Sequence, residues 1–187
     1  MSESKGNLAV WQGGTVWLTG LPSAGKTTIA MGLAEHLQAD GHRVQVLDGD
    51  EVRAALSAEL GFSKEDRDIN VRRIGYVAGL LAGHGVTVLV PVIAPYALSR
   101  ATVQDLHAAR DLPYVEIHVA TSVEICADRD VKGLYARQAA GELSGLTGAD
   151  DVYEVPVDPD LRVDTQHQTV NESVRQVRAL LTARGLS

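Results

Sequence analysis

Two hydrophobic periods alternate along the chain. Short, nearly continuous apolar runs at Thr15–Thr19, Arg43–Leu47, Val86–Ile93, Tyr114–Val119 and Leu161–Val163 read as strands. Val86–Ile93 is apolar almost throughout, as expected of a strand buried on both faces. Helical spacing fills the intervals. Lys26–Asp40 carries Ile29, Leu33 and Leu37 on one face and stops at Gly41, a residue suited to the left-handed cap. Ser63 opens a long helix with Asp66 three residues on, a variant capping box, and an apolar stripe of Val71, Ile74, Val77, Ala78 and Leu81. Further helices are predicted across Ala97–Arg110, from near Ser122, and over Val170–Arg184. The Gly-rich stretch from Lys132 to Gly148 is the one long weakly patterned segment, which in a small domain is usually a functional lid or disordered. Strands alternating with helices imply an α/β fold, a parallel sheet covered on both faces.

Composition adds bounds. The chain has 187 residues, enough for one domain: a short N-terminal arm at 1–14 and a single unit at 15–187 with a lid around 130–150. Aromatics are 4%, so Val, Leu, Ile and Ala must build the core. The net charge of −7 argues against a nucleic-acid partner. Cys126 is the single cysteine; it reads as a small buried hydrophobe in a chain from a reducing compartment. Met1–Gly14 has no apolar stretch of the kind signal peptides carry. The longest apolar run, Val86–Ala94, is far too short to span a bilayer. A soluble, cytoplasmic protein with no membrane association is expected.

The chemistry begins at Gly20-Leu21-Pro22-Ser23-Ala24-Gly25-Lys26-Thr27, which fits G-x-x-x-x-G-K-[ST] between a predicted strand and a predicted helix. Glycines let backbone N–H groups turn inward around phosphate oxygens, and the helix N-terminus adds partial positive charge. Lys26 is suited to the β and γ phosphates and the Thr27 hydroxyl to magnesium, with Thr28 extending the ATP-binding set. No N-K-x-D signature of a GTPase is present, and one small domain is a poor motor, which leaves small-molecule kinases.

Such a kinase needs a carboxylate near the attacking hydroxyl or in the magnesium shell. The third strand ends Val92-Ile93-Ala94-Pro95, without an acid, whereas the second ends Asp48-Gly49-Asp50 at the edge where ligands bind. Those acids read as catalytic or metal-associated; a ribose contact or a structural turn are the competing readings. The stripe of the long helix, continued backwards, meets Asn70 and Arg67. A buried unpaired charge is costly, so Arg67 should line a cavity or meet an anion. Arg53 projects to the same edge if the chain turns helical there, while Arg72 and Arg73 read as surface. Lys132 opens the Gly-rich stretch as a basic lid residue, with Arg129 and Arg137 as helpers or ordinary exposed charges. The six histidines show no paired metal spacing, and His118 reads as core.

Taken together, Trp17-Leu18-Thr19-Gly20-Leu21, Leu47-Asp48-Gly49-Asp50, Gly61-Phe62-Ser63-Lys64-Glu65-Asp66-Arg67 with Asn70, Arg129-Asp130-Val131-Lys132-Gly133-Leu134-Tyr135 and Leu146-Thr147-Gly148 resemble the adenylylsulfate kinase family. The resemblance implies a three-layer P-loop NTPase fold and transfer of the ATP γ-phosphoryl, with Mg2+, to the 3′-hydroxyl of adenosine 5′-phosphosulfate. It implies Asp50 as the acid beside that hydroxyl and in the magnesium shell, with Lys26 also catalytic and Arg129 among the ATP contacts. It further implies Arg53, Arg67 and Asn70 on the phosphosulfate and sugar, Phe62 on the adenine, Ile93 and Ala94 in backbone contact, and Lys132 closing over the reacting groups. A stand-alone kinase, a homodimer and a functional link to ATP sulfurylase follow from the same resemblance. Two departures stand out. Many members carry Ser, assigned as a phosphorylated intermediate, where this chain has Ala94, so transfer here should be direct. Many carry Phe where this chain has Leu146, so one adenine face should rely on apolar contact, at a cost on the order of 1 kcal/mol.

Overall fold

The strand β1 (Gly14–Thr19) is buried at every position, because it lies at the centre of the sheet with helices on both faces. The structure, a computed structural model, describes residues 13–187. Its other strands are β2 (Val44–Val46), β3 (Thr87–Pro91), β4 (Tyr114–Val119) and β5 (Leu161–Val163). All pair in parallel, in the order β2-β3-β1-β4-β5. The helices are α1 (Lys26–Ala39), α2 (Gly49–Leu56), α3 (Lys64–Ala82), α4 (Ala97–Ala108), α5 (Val123–Arg129), α6 (Leu134–Ala139) and α7 (Val170–Ala183).

The two-residue period of the strands divides the core into two layers. Val16 and Leu18 of β1 join Leu33 and Leu37 of α1 and Val177 and Leu181 of α7 on one face. Trp17 points the other way, into a layer with Val71, Ile74 and Ala78 of α3 and Val103 of α4. A three-layer α/β sandwich results. Its crossovers bring the ends of β1 and β3 and the loops after β2, β4 and β5 to one edge of the sheet.

The structure adjusts several expectations. Gly13 is buried and Gly14 opens β1, so neither belongs to an arm; the rest of that arm lies outside the described residues. β2 is shorter than Arg43–Leu47, although Arg43 O and Leu47 N still bond to β3. β3 ends at Pro91, so Val92 and Ile93 already belong to the following loop. A separate helix, α2, follows β2; none of its residues is buried, so no apolar stripe marked it. The Gly-rich stretch contains a further helix, α6. On α3, Val77 and Leu81 are only half-buried, while the rest of the stripe is buried. Cys126 and His118 are buried, as read. No helix among the described residues is long and apolar enough to cross a membrane.

Ser63 caps α3 by accepting from Asp66 N at 3.1 Å, and its hydroxyl donates to Asp66 Oδ2 at 3.0 Å. Ser63→Ala removes both bonds and is predicted to lower stability by about 1 kcal/mol, read as a lower midpoint in urea unfolding with an unchanged slope.

Candidate functional site

A cleft of about 740 Å³ opens at the carboxyl edge of the sheet. Its floor follows from β1. The chain leaves Thr19 through Gly20, where a Cβ would lie 2.5 Å from Val119 O, so only glycine permits the turn. It enters α1 through Gly25 at φ 101°, a left-handed conformation that strains any other residue. No side chain caps α1, so its first N–H groups are left for a ligand. Pro22, Ser23, Gly25, Lys26, Thr27 and Thr28 line the cleft, while Gly20, Leu21 and Ala24 shape the loop from behind. Lys26 is buried, and its Nζ donates to Gly20 O at 2.9 Å and Leu21 O at 2.7 Å. Burial lowers its pKa to about 8.

The acids come from the start of α2. Asp48 Oδ1 accepts from Asp50 N at 3.0 Å and so caps the helix, while Oδ2 accepts from Thr27 Oγ1 at 2.8 Å. Asp50 is exposed in the cleft and pairs with Lys132, which reaches across from the Gly-rich segment. Asp48, and not Asp50, therefore sits beside the Thr27 hydroxyl that was read as a magnesium ligand.

Opposite lies a cationic lobe. Arg53 projects from α2, donates to Leu60 O and Gly61 O, and lies 4.5 Å over the Phe62 ring. Arg67 of α3 donates to Phe62 O at 2.9 Å and Thr147 Oγ1 at 3.0 Å, and pairs with Asp151 at 3.4 Å. Burial first, and then the charge of Arg67, lowers the Arg53 pKa. Asn70 lines the same lobe with a buried Oδ1 that has no hydrogen-bond partner among the described residues. Phe62 is 66% exposed at the rim. Ile93 and Ala94 form the wall between the lobes. Their backbone is fixed from behind: Thr19 Oγ1 donates to Ile93 O at 2.6 Å, and the buried Arg100 donates to Ala94 O at 2.8 Å. Ala94 has φ 43°.

Leu146 departs from its expected place. It is 6% exposed, packs in the core layer with Leu21, and does not line the cleft. Leu146 therefore offers no apolar face to an adenine; it fills core space behind the phosphate loop. Arg137 is exposed and also lies off the cleft. Sequence reasoning missed a further arm of the cleft, formed by Thr165, Gln168, Thr169 and Val170 between β5 and α7. Arg129 lines it and donates to Thr165 Oγ1 and Thr165 O, both at 2.9 Å. Its one sequence signal was position, directly after a strand at the ligand-binding edge.

Among the described residues no cluster of three His, Cys, Asp or Glu side chains is placed to hold a metal. One hydroxyl beside one carboxylate, Thr27 and Asp48, instead suits Mg2+, which keeps several waters and takes its remaining ligands from substrate phosphates.

A phosphate loop at the end of the central strand, facing an acid pair and a second cationic lobe, defines a P-loop kinase. The chain belongs to the adenylylsulfate kinase family: the family model described as "Adenylylsulphate kinase" matches residues 12–164. The adenylyl-sulfate kinase of Myxococcus xanthus is 50% identical over 171 residues, covering 91% of this chain and 92% of that protein. The Mycobacterium tuberculosis APS kinase CysC, solved in complex with AMPPNP and APS, superposes with a TM-score of 0.89 at 43% identity, covering 91% of this chain and 98% of that one. The hexameric APS kinase from Thiobacillus denitrificans gives a TM-score of 0.70 at 39% identity, covering 94% of this chain but 30% of that one.

Triphosphate oxygens in the cleft favour the charged Lys26 and raise its pKa on binding. Below about pH 8 the ammonium is protonated in both states. Above it, binding must take up a proton. MgATP affinity is therefore predicted to be flat up to about pH 8 and to fall at higher pH, by up to roughly tenfold per unit. Calorimetry in buffers of different ionisation enthalpy at pH 8.5 should report proton uptake that is missing at pH 7.

Proposed function

We propose that the protein is an adenylylsulfate kinase that uses ATP and Mg2+ to phosphorylate the 3′-hydroxyl of adenosine 5′-phosphosulfate. The observation that carries this reading is one cleft holding a phosphate loop and, across the Asp48–Asp50 pair, a lobe of Arg53, Arg67 and Asn70 suited to a second anionic nucleotide. Residues 13–187 are read as one kinase domain, in which Lys132 of the Gly-rich segment closes over the cleft.

Lys26 and the loop N–H groups hold the β and γ phosphates, and the Thr165–Val170 arm with Arg129 takes the donor base. Thr27 and Asp48, directly or through water, would hold Mg2+, which would neutralise phosphate charge. Arg53, Arg67 and Asn70 orient the acceptor, and Phe62 offers its exposed ring to the acceptor adenine. Asp50 accepts the proton of the 3′-hydroxyl as its oxygen bonds to the γ-phosphorus and the bond to the β-phosphate oxygen breaks, giving ADP. Lys132 leaves Asp50 for the phosphate oxygens as substrates fill the cleft. Ala94 offers only a methyl group beside the acceptor, so the phosphoryl group passes between nucleotides without resting on that residue.

The acceptor is the product of adenylyl transfer from ATP to sulfate, which links this protein functionally to ATP sulfurylase. A homodimer is the assembly proposed. The exposed Leu56, Tyr76 and Leu80 on α2 and α3 support self-association, as does the assembled relative from Thiobacillus denitrificans.

With ATP, Mg2+ and adenosine 5′-phosphosulfate the protein is expected to form ADP and the 3′-phosphorylated product; no product from folded, ATP-binding protein refutes the assignment. Asp50→Asn should lower kcat on the order of a hundredfold while MgATP affinity, measured by calorimetry, stays near wild type. Brief incubation with γ-labelled ATP should leave no label on the denatured protein. Stoichiometric label would show a phosphoenzyme formed at some other residue.

A further inference from the structure

The phosphate loop is gripped from behind, and two of the residues that hold it, Tyr135 and Thr121, do not line the cleft. Tyr135, on α6, is 7% exposed and packs in the core layer below the loop. Its hydroxyl donates to Pro22 O at 3.3 Å. Two residues on, Ala24 O lies 3.0 Å from both Thr121 Oγ1 and Thr165 Oγ1, and those hydroxyls lie 2.6 Å apart. Between these anchors Ser23 takes φ 62°, and its Oγ accepts from Val131 N at 3.3 Å.

A trans peptide points its C=O and the following N–H in opposite directions. Anchoring Pro22 O and Ala24 O on the core side therefore turns the N–H groups of Ser23 and Gly25 toward the cleft. Lys26 does the converse, drawing Gly20 O and Leu21 O to its own side. Left unanchored, the Pro22–Ser23 peptide can rotate, since nothing in a non-glycine residue favours φ 62°.

We propose that Tyr135 is a positioning residue for the donor phosphates: its hydroxyl sets the Pro22–Ser23 peptide plane and so aims the Ser23 N–H at the triphosphate. This rests on reading the loop as the ATP site. Three details suit the role. The Asp130 carboxylate accepts from Tyr135 N at 3.0 Å and Ala136 N at 2.9 Å, which fixes the start of α6. Leu21 and Leu146 pack in the same layer and brace the loop beside this bond. Burial raises the phenol pKa well above its ordinary value, so the hydroxyl remains a donor throughout the working range.

Tyr135→Phe keeps the ring and removes only the donor. MgATP affinity, measured by calorimetry on the whole protein without acceptor, should weaken roughly three- to tenfold, the size of one lost hydrogen bond. The KM for ATP should rise in parallel and the KM for the acceptor stay unchanged, while the melting midpoint of the ligand-free protein falls by only the few degrees that one lost hydrogen bond costs. Thr121→Val, which removes the second anchor, should act in the same direction. Unchanged ATP affinity in Tyr135→Phe overturns the proposal. So does a loss of affinity accompanied by an equal rise in the acceptor KM, because a general loosening of the fold would weaken both sites alike. ATP binding is read directly, so a wild-type protein that binds ATP but does not phosphorylate adenosine 5′-phosphosulfate would refute the acceptor assignment and leave this test standing.

Discussion

Everything at the site depends on an uncapped helix N-terminus held at the end of a buried strand. The first N–H groups of α1 have no side-chain cap, and Gly20 and Gly25 bring the chain round so tightly that these groups face the cleft. Leaving them without a partner is costly, and an anion is the partner whose charge also suits the helix dipole. The sheet order puts β1 at the centre, with packed layers on both sides, so the position of this terminus is set by the core.

Around that terminus the cleft is arranged so that charge is stored in weak pairs. The Lys132–Asp50 pair has side chains 58% and 71% exposed, a setting in which an ion pair is worth only about 0–1 kcal/mol. An anion entering the cleft can therefore take Lys132 from Asp50 at little cost and free the carboxylate. Arg67 is held differently. It is tied to Phe62 O, Thr147 and Asp151 with its side chain 10% exposed, so it also organises the segment beside the cationic lobe. Two cations on one lobe thus divide the work: Arg53 sits nearer the rim with Phe62, and Arg67 braces the wall.

The Gly-rich segment reads differently once folded. As a sequence it suggested a cover. In the structure α6, Leu146 and Gly148 meet the phosphate loop from behind, with Leu21 packed so closely that a Cβ on Gly148 would lie 2.4 Å from its side chain. The segment braces the loop and reaches the cleft through Lys132 and Leu134. A replacement at Leu146 is accordingly a change in core packing, even though it lies next to residues of the site in sequence.

Local chemistry was legible in the sequence wherever it is carried by neighbours along the chain. The phosphate loop needs eight consecutive residues, and its glycines and lysine announce it. The α3 stripe continuing into Asn70 and Arg67 announced a polar cavity, because a helix repeats its faces. The Ser63 cap and all five strands were readable for the same reason. The rest needed the fold. The helix α2 has no buried face and so no period. Asp48 beside Thr27, Thr165 beside Arg129, and Tyr135 behind Pro22 are contacts between residues 21, 36 and 113 positions apart. Sequence alone determined that this chain builds a phosphate-binding α/β domain, because backbone turns and periodic burial are local. Which carboxylate stands beside the threonine, and which residues aim the loop, only the tertiary structure decided, because those distances are set by how the layers pack.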